Sequence, residues 1–327
     1  MNSPLLTIVL TSCNYARHVP EAMRALAGQL GPDARLLVID DGSTDDSPAL
    51  IREQAADNPH VTLLVNPGNT GIHAVLNQGL EIVSSPWILY SAMDDVAYPN
   101  LVERLTALIR RYPHAGLCTA PADYLVAAGT RPRSILPWIV RPWIGPDLPD
   151  EAWCPPEAAA ALMRAYGFWF AGMTTAFSVP ALRAAGGFDA SLGPLADSFV
   201  SQVVALRHGM ATAARPLAGV RQAAGGYSRA SLDPELAATF RRNALARMES
   251  LPELFPRAFR EDWEAFDRIW ALLRARKHGP ERQRGPQLAL AAGLTGIRLW
   301  RNPLFRGRIG ARLRRHWRRL FQEHGRP

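Results

Sequence analysis

Leu36-Leu37-Val38-Ile39-Asp40-Asp41-Gly42-Ser43-Thr44-Asp45-Asp46-Ser47-Pro48 passes from an unbroken apolar run to a cluster of acidic and turn-forming residues. A short run of Leu, Val and Ile fits a strand buried on both faces. Ser47 followed by Pro48 reads as a helix cap and first helical residue, opening a helix toward Ala55. The same grammar repeats on either side. Leu5 to Thr11, Arg35 to Asp40, Val61 to Val65, Trp87 to Ser91 and Gly116 to Thr119 are of strand length and bounded by turn residues. Between them, Val19, Met23, Leu26 and Leu30, and later Leu101, Leu105, Leu108 and Ile109, recur at helical spacing. Strand and helix in alternation over residues 1–120 predict an α/β fold, a Rossmann-like, mostly parallel sheet flanked by helices.

From Pro121 to Pro156 the alternation stops. This stretch is rich in proline and carries Trp138, Trp143 and Trp153, which predicts an irregular excursion rather than sheet or helix. It reads as a lid or binding loop, or else as a mobile linker. The tryptophans either offer flat ring faces to a ligand or fasten the loop to the core. Thr174 to Val179 then reads as a strand and Pro180 to Ala185 as a short helix, with residues 198–209 and 232–275 helical.

The 327 residues are 48% apolar, enough for one large or two ordinary domains. The formal net charge of +8 is unevenly spread. Residues 271–327 hold 15 basic side chains against Glu281 and Glu323, whereas residues 1–270 hold 22 basic against 27 acidic. The body has no basic excess to lay along a phosphate backbone, so nucleic acid is not an expected partner. Cys13, Cys118 and Cys154 are odd in number and lack CxxC spacing, which argues against a disulfide framework or a thiolate zinc site. The apolar run from Leu5 to Leu10 is too short for a signal-peptide core, and no stretch is long enough to span a bilayer. The expectation is a cytoplasmic protein with at most peripheral membrane contact.

Two acidic pairs stand where predicted strands end, Asp40-Asp41 and Asp94-Asp95. In a parallel α/β sheet, ligands bind at the carboxyl ends of the strands. Paired carboxylates repel unless a cation or donor compensates, and Mg²⁺ or Mn²⁺ on a diphosphate would do so. The alternative is that such residues cap turns and helices. Asp45 and Asp46, just before Ser47, read as turn residues; for Asp94-Asp95 both readings stay open. His18 and His73 read as polar surface or cap residues, since no second ligand stands at metal spacing.

In order, the motifs are Thr7-Ile8-Val9-Leu10-Thr11-Ser12-Cys13-Asn14-Tyr15, Val38-Ile39-Asp40-Asp41-Gly42-Ser43-Thr44-Asp45, Asn69-Thr70-Gly71-Ile72 with Asn77-Gln78-Gly79-Leu80, Met93-Asp94-Asp95 with Pro99, and Gly186-Gly187-Phe188-Asp189 with Asp197. This series resembles the family 2 glycosyltransferases over residues 5–230. The resemblance implies a GT-A fold and an inverting, metal-dependent hexosyl transfer from a nucleotide-diphosphate sugar to a glycan or lipid-linked acceptor, in cell-envelope or exopolysaccharide assembly. It implies that Thr11 and Ser12 lie against nucleobase and ribose, and that Asp41 accepts from a base N–H, favouring a UDP- or dTDP-type donor. Gly71 would let backbone approach the nucleotide, Asn77 would be a supporting polar contact, and Asp94 would lie near ribose or sugar. Asp95 would bind the divalent metal, and Asp197 would be the general base, with a helix cap as its alternative role. Arg221 and Arg229 are candidate diphosphate contacts.

The chain departs from the family pattern at Ala92, which stands where an Asp is common, and at Leu76, Ala196 and Ala223, which stand for Arg, Glu and His. Ala92 and Ala223 keep a catalytically lost binding or scaffold protein as one alternative. A nucleotidyltransferase is another, disfavoured because Thr11 to His18 lacks glycine and has one Arg. The expected division is a transferase domain over 1–230 (nucleotide-sugar half 1–120, acceptor half 121–230), a helical extension over 231–280 and a basic tail over 281–327. In the tail, Ile309, Leu313, Trp317 and Leu320 form an apolar stripe among arginines. Residues 287–327 therefore read as an interfacial helix on an anionic membrane surface, which would put the protein at the inner face of the plasma membrane, or else as a helix docked on its own domain.

Overall fold

The computed structural model describes residues 3–125, 133–134, 151–166, 170, 172–221, 233–265 and 267. The predicted alternation is present. It runs β1 (Leu6–Ser12), α1 (Val19–Ala27), β2 (Ala34–Asp40), α2 (Ser47–Ala55), β3 (Val61–Val65), α3 (Ile72–Ile82), β4 (Trp87–Ala92), β5 (Val96–Ala97), α4 (Leu101–Arg111) and β6 (Leu117–Thr119). Next come β7 (Ala122–Leu125), β8 (Arg133–Ser134), β9 (Glu151–Cys154), α5 (Pro156–Tyr166), β10 (Thr175–Ser178), α6 (Val179–Ala184), a 3-10 segment (Ala190–Leu195), α7 (Ala196–His208), β11 (Met210–Ala213), β12 (Ala218–Arg221) and α8 (Pro234–Glu249).

Eight strands form one sheet in the order β3-β2-β1-β4-β10-β6-β11-β9. The first four are parallel. Strand β10 enters antiparallel between β4 and β6, and β11 runs parallel to β6. All seven residues of β1 are buried, as an inner strand covered on both faces must be. Leu6, Ile8 and Leu10 join the core with Met23 and Leu26 of α1, Ile51 of α2 and Leu105 of α4. On the other face, a Cβ at Gly79 of α3 would lie 3.0 Å from Val9 Cγ1, so α3 packs on the sheet with no room for a side chain there. Gly116 gives α7 the same close approach, with a Cβ there 2.8 Å from Val204 Cγ1. Strands β5-β12-β7-β8 make a second, small sheet.

Three expectations are corrected. The 121–156 stretch does contain sheet, since β7 and β8 belong to the small sheet and β9 pairs antiparallel with β11. Trp153 lies in β9, stacks on Tyr112 at 6.3 Å and meets His114 at 4.5 Å; it fastens β9 to the core. Trp138 and Trp143 lie outside the described residues. The cap of α2 is Asp46, not Ser47; the Ser47 hydroxyl accepts from Tyr15 N and donates to Asp45 instead. The helix expected over 232–275 is broken after Glu249, where Leu251 and Pro252 open a turn before residues 257–265 resume helix.

The chain divides into two compact units, Met1–Pro137 with Pro149–Ala159 and Trp169–Arg247, and Trp138–Leu148 with Ala160–Phe168 and Met248–Pro327. The second carries its own aromatic pair, Phe255 against Phe259 at 5.2 Å, and an Arg164–Asp262 ion pair at 2.9 Å. Residues 268–327, which include the basic tail, lie outside the described residues. Among the described residues no helix is long and apolar enough to cross a membrane.

Candidate active site

Parallel register puts the ends of β1, β2 and β4 on one edge of the sheet, with Ser12 beside Asp40 and Thr11 beside Ala92. The loops after these strands are tied together by Asn14, which sits at φ 57. Its side chain accepts from Thr44 N (2.8 Å) and Asp45 N (3.3 Å), while its own N–H donates to Ser43 Oγ. Asp40, fully buried, accepts from Ser43 N and Oγ and shapes the turn. At Gly42, φ is +68 and a Cβ would meet the Gly68 backbone at 2.4 Å, so the β2 and β3 loops touch backbone to backbone.

Asp41 sits where these loops meet and is 4% exposed. It accepts from Asn66 Nδ2 (3.0 Å), Thr70 Oγ1 (2.7 Å), Thr70 N (3.0 Å) and Gly71 N (2.9 Å). Burial alone would raise its pKa, but the donors outweigh it and hold the carboxyl below its ordinary value. Asn66 is held in turn by a reciprocal amide pair with Gln78. Thr11 is buried, its hydroxyl donating to Ser91 O at 3.4 Å. Ser12 Oγ is buried with no hydrogen-bond partner, an orphan hydroxyl at the same edge. Gly71 has φ 89, and a Cβ there would point into open space.

The acidic turn after β4 is flanked by Tyr15 and braced by Arg221. Tyr15 lies beside the acidic pair, and burial, Asp94 and Asp95 push its pKa up to about 12. Arg221, brought by β12, donates through Nη1 to the Asp94 carbonyl (3.0 Å) and through Nη2 to both Glu21 carboxylate oxygens (2.6 and 2.7 Å). Arg221, a candidate diphosphate contact from sequence, thus braces the acidic turn in this structure; Arg229 lies outside the described residues. Asp95 is pushed up to about 7, by burial first and then by Asp94, against the Ala92 hydrogen bond and Arg221. His18, the cap position of α1, is lowered by burial, Arg17 and Arg221.

Asp197 lies in the first turn of α7, whose cap position is Leu195, so it is not the helix cap. It accepts from Ser198 N at 2.6 Å. The residue meets solvent, yet the surrounding protein removes enough water to push its carboxyl above the ordinary value despite that bond. Strand order fixes its edge. Because β11 is parallel to β6, and β6 and β4 are both antiparallel to β10, α7 returns the chain from the edge where β4 ends. Its N-terminus therefore shares the edge of Asp41 and Asp94-Asp95. Asn77 gives both ends of its amide to the Phe188 backbone, at 2.9 Å each, and so holds the loop before α7.

Among the described residues no three His, Cys, Asp or Glu side chains gather as a metal cage. Two adjacent carboxylates, one held near neutrality, fit a hard divalent cation that takes its remaining ligands from a bound diphosphate. The residues that sequence alone did not single out are Tyr15, Glu21, Asn66 and Thr70. Tyr15 and Thr70 lie within quoted motifs and Asn66 three residues before one; Glu21 carries no sequence signal, because its partner Arg221 is 200 residues away.

The Glycosyl transferase family 2 model matches residues 7–158. A glycosyltransferase of Haemophilus influenzae is 26% identical over 124 residues, 38% of each chain. The chain spans less than half the length of the curated relatives it matches. Among solved structures, the mannosyltransferase PcManGT of Pyrobaculum calidifontis, in complex with GDP-Man and Mn²⁺, aligns with a TM-score of 0.56 at 19% identity, covering 92% of this chain and 82% of that one. S. aureus TarS in complex with UDP-GlcNAc aligns with a TM-score of 0.56 at 13% identity, covering 90% and 89%. Residues 7–158 are therefore similar to the family 2 glycosyltransferases, and the chain shares the GT-A fold.

Proposed function

We propose that this chain is an inverting glycosyltransferase that moves a hexosyl group from a nucleotide-diphosphate sugar to a glycan or lipid-linked acceptor. The observation that carries the reading is the placement, on one sheet edge, of the Asp94-Asp95 turn and of the first turn of α7, which bears Asp197. The donor lies over the ends of β1, β2 and β4. Asp41 accepts from the base N–H, Thr11 and Ser12 line base and ribose, and Gly71 lets the backbone close in. Asp94 faces the ribose or sugar, and Asp95 holds Mg²⁺ or Mn²⁺ against the diphosphate. When bound, the cation supplies Lewis-acid neutralisation of the diphosphate charge. A base with an imide N–H, uracil or thymine, suits the acceptor-only Asp41.

Asp197 takes the proton of the acceptor hydroxyl as that oxygen attacks the anomeric carbon from the face opposite the nucleotide. A raised carboxyl pKa makes it a stronger base than an ordinary aspartate. Glu21 and Arg221 hold the backbone of the acidic turn in place during transfer. We assign residues 1–230 to this domain, and residues 287–327 to contact with an anionic membrane surface on the cytoplasmic side, on the strength of the arginine-flanked apolar stripe. Cell-envelope or exopolysaccharide assembly is the setting we favour.

The test is a thermal-shift panel of UDP, dTDP and GDP and their sugars with and without Mn²⁺, followed by donor turnover. Selective stabilisation by a uracil or thymine nucleotide, with turnover lost in Asp95→Ala and Asp197→Ala, is expected. Turnover that persists in both variants would sink the site assignment. Binding without turnover would identify a glycosyltransferase-like binding module instead.

A further inference from the structure

Helix α3 is bonded at its start to Asp41 and along its length to the segment that leads into Asp197. At the start, Thr70 N and Gly71 N donate to the Asp41 carboxylate. Within the first turn, His73 Nε2 lies 3.1 Å from Gly193 O, the same carbonyl that accepts from Ala196 N, the first amide of α7. Because a carbonyl only accepts, the imidazole carries its proton on Nε2. Further on, Asn77 brackets Phe188, and a Cβ on the preceding Gly187 would fall 2.5 Å from Asn77 Oδ1. At the end, Arg183 of α6 donates to the carbonyls of Leu80 and Val83. Between these bonds Gly79 packs the helix close on the sheet, where a Cβ would lie 3.0 Å from Val9 Cγ1.

We propose that α3 sets the position of Asp197, with His73 as the positioning residue that links the donor end of the domain to the start of α7. This rests on reading Asp197 as the base. His73 acts through Gly193 O, one hydrogen bond from the residue before Asp197. Gly193 has φ 53 and ψ −136 and breaks the 3-10 segment, leaving its carbonyl to meet α3 on one side and α7 on the other. Loss of the His73 bond frees α7's first turn to shift, and misplacement of a reacting group by about 1 Å costs on the order of 100-fold in rate.

The test compares His73→Ala and His73→Gln by hydrogen exchange over residues 189–198, and by hydrolysis of UDP-glucose, UDP-GlcNAc or GDP-mannose with Mn²⁺. In His73→Ala, faster exchange over 189–198 with unchanged exchange over 36–46 is expected. Alongside it, kcat should fall roughly 10- to 100-fold, with KM within about twofold. His73→Gln, which keeps an N–H at the same reach, restores both. In an Asp197→Ala background, His73→Ala costs nothing further, because both act through one group. Unchanged exchange over 189–198, or a loss that Gln does not restore, overturns the proposal. Should the wild type turn over none of these donors, that failure falls on the proposed function, and the exchange result still decides the positioning claim.

Discussion

A carboxylate offers about four lone-pair directions, and at Asp41 donors from Asn66, Thr70 and Gly71 already fill most of them. A base N–H must therefore use what is left of Oδ2, and the residue does two jobs. Asp41→Asn turns an amide nitrogen toward backbone N–H groups and should cost about 1–3 kcal/mol in urea unfolding, together with loss of UDP binding. A stability measurement must accompany any binding measurement there. Its lowered pKa works in one direction. The stability that the charged form contributes is present above the ordinary aspartate range and is lost as pH falls through the still lower folded value. Asp95 has the opposite sign. With its pKa at about 7, ionisation costs stability as pH rises from the ordinary carboxylate range toward 7, and a bound cation removes that cost. Mn²⁺ with UDP should therefore raise Tm more above about pH 7.5 than below about pH 5.5, where the proton competes for the carboxylate. An equal shift at both pH values would argue against Asp95 as the ligand.

Helix α3 passes so close to the sheet that Gly79 and Val9 share one space. Gly79→Ala gains about 1 kcal/mol of helix propensity but presses a methyl to 3.0 Å from Val9 Cγ1, in a fully buried strand. Overpacking costs typically about 1–3 kcal/mol, so the single variant should be destabilised. In a Val9→Ala background the same change should turn neutral or favourable, and urea denaturation of the four-member cycle reads this directly. Such pairings explain what the sequence alone discloses. The central strands were legible because a strand buried on both faces is written as an unbroken apolar run. Strands β7, β8 and β9 were not, since short segments in a proline-rich stretch take their form from partners such as β11 and β12 far along the chain. The acidic turns were legible as motifs. Their bracing was not, because Arg221 reaches Asp94 across 127 residues and Asn77 reaches Phe188 across 111. The break after Glu249 did have a local signal in Pro252 and Pro256, which a periodicity reading of a long segment overlooks.

At the scale of the whole chain, the net charge of +8 joins an acidic body to an arginine-rich end. If residues 287–327 bring the domain to an anionic surface, their removal should abolish flotation with phosphatidylserine vesicles while leaving nucleotide-induced stabilisation intact. Equal flotation of both chains would remove the membrane assignment. The knot at Asn14 bears on how the molecule is made. Its bonds, and the Tyr15–Ser47 bond beside it, span only 29 to 32 residues. Every partner in that knot is synthesised ahead of β4 and β10. The donor edge of the sheet can thus be laid down first and serve as the template on which later strands add. Limited proteolysis of stalled nascent chains should show residues 6–47 gaining protection ahead of the rest.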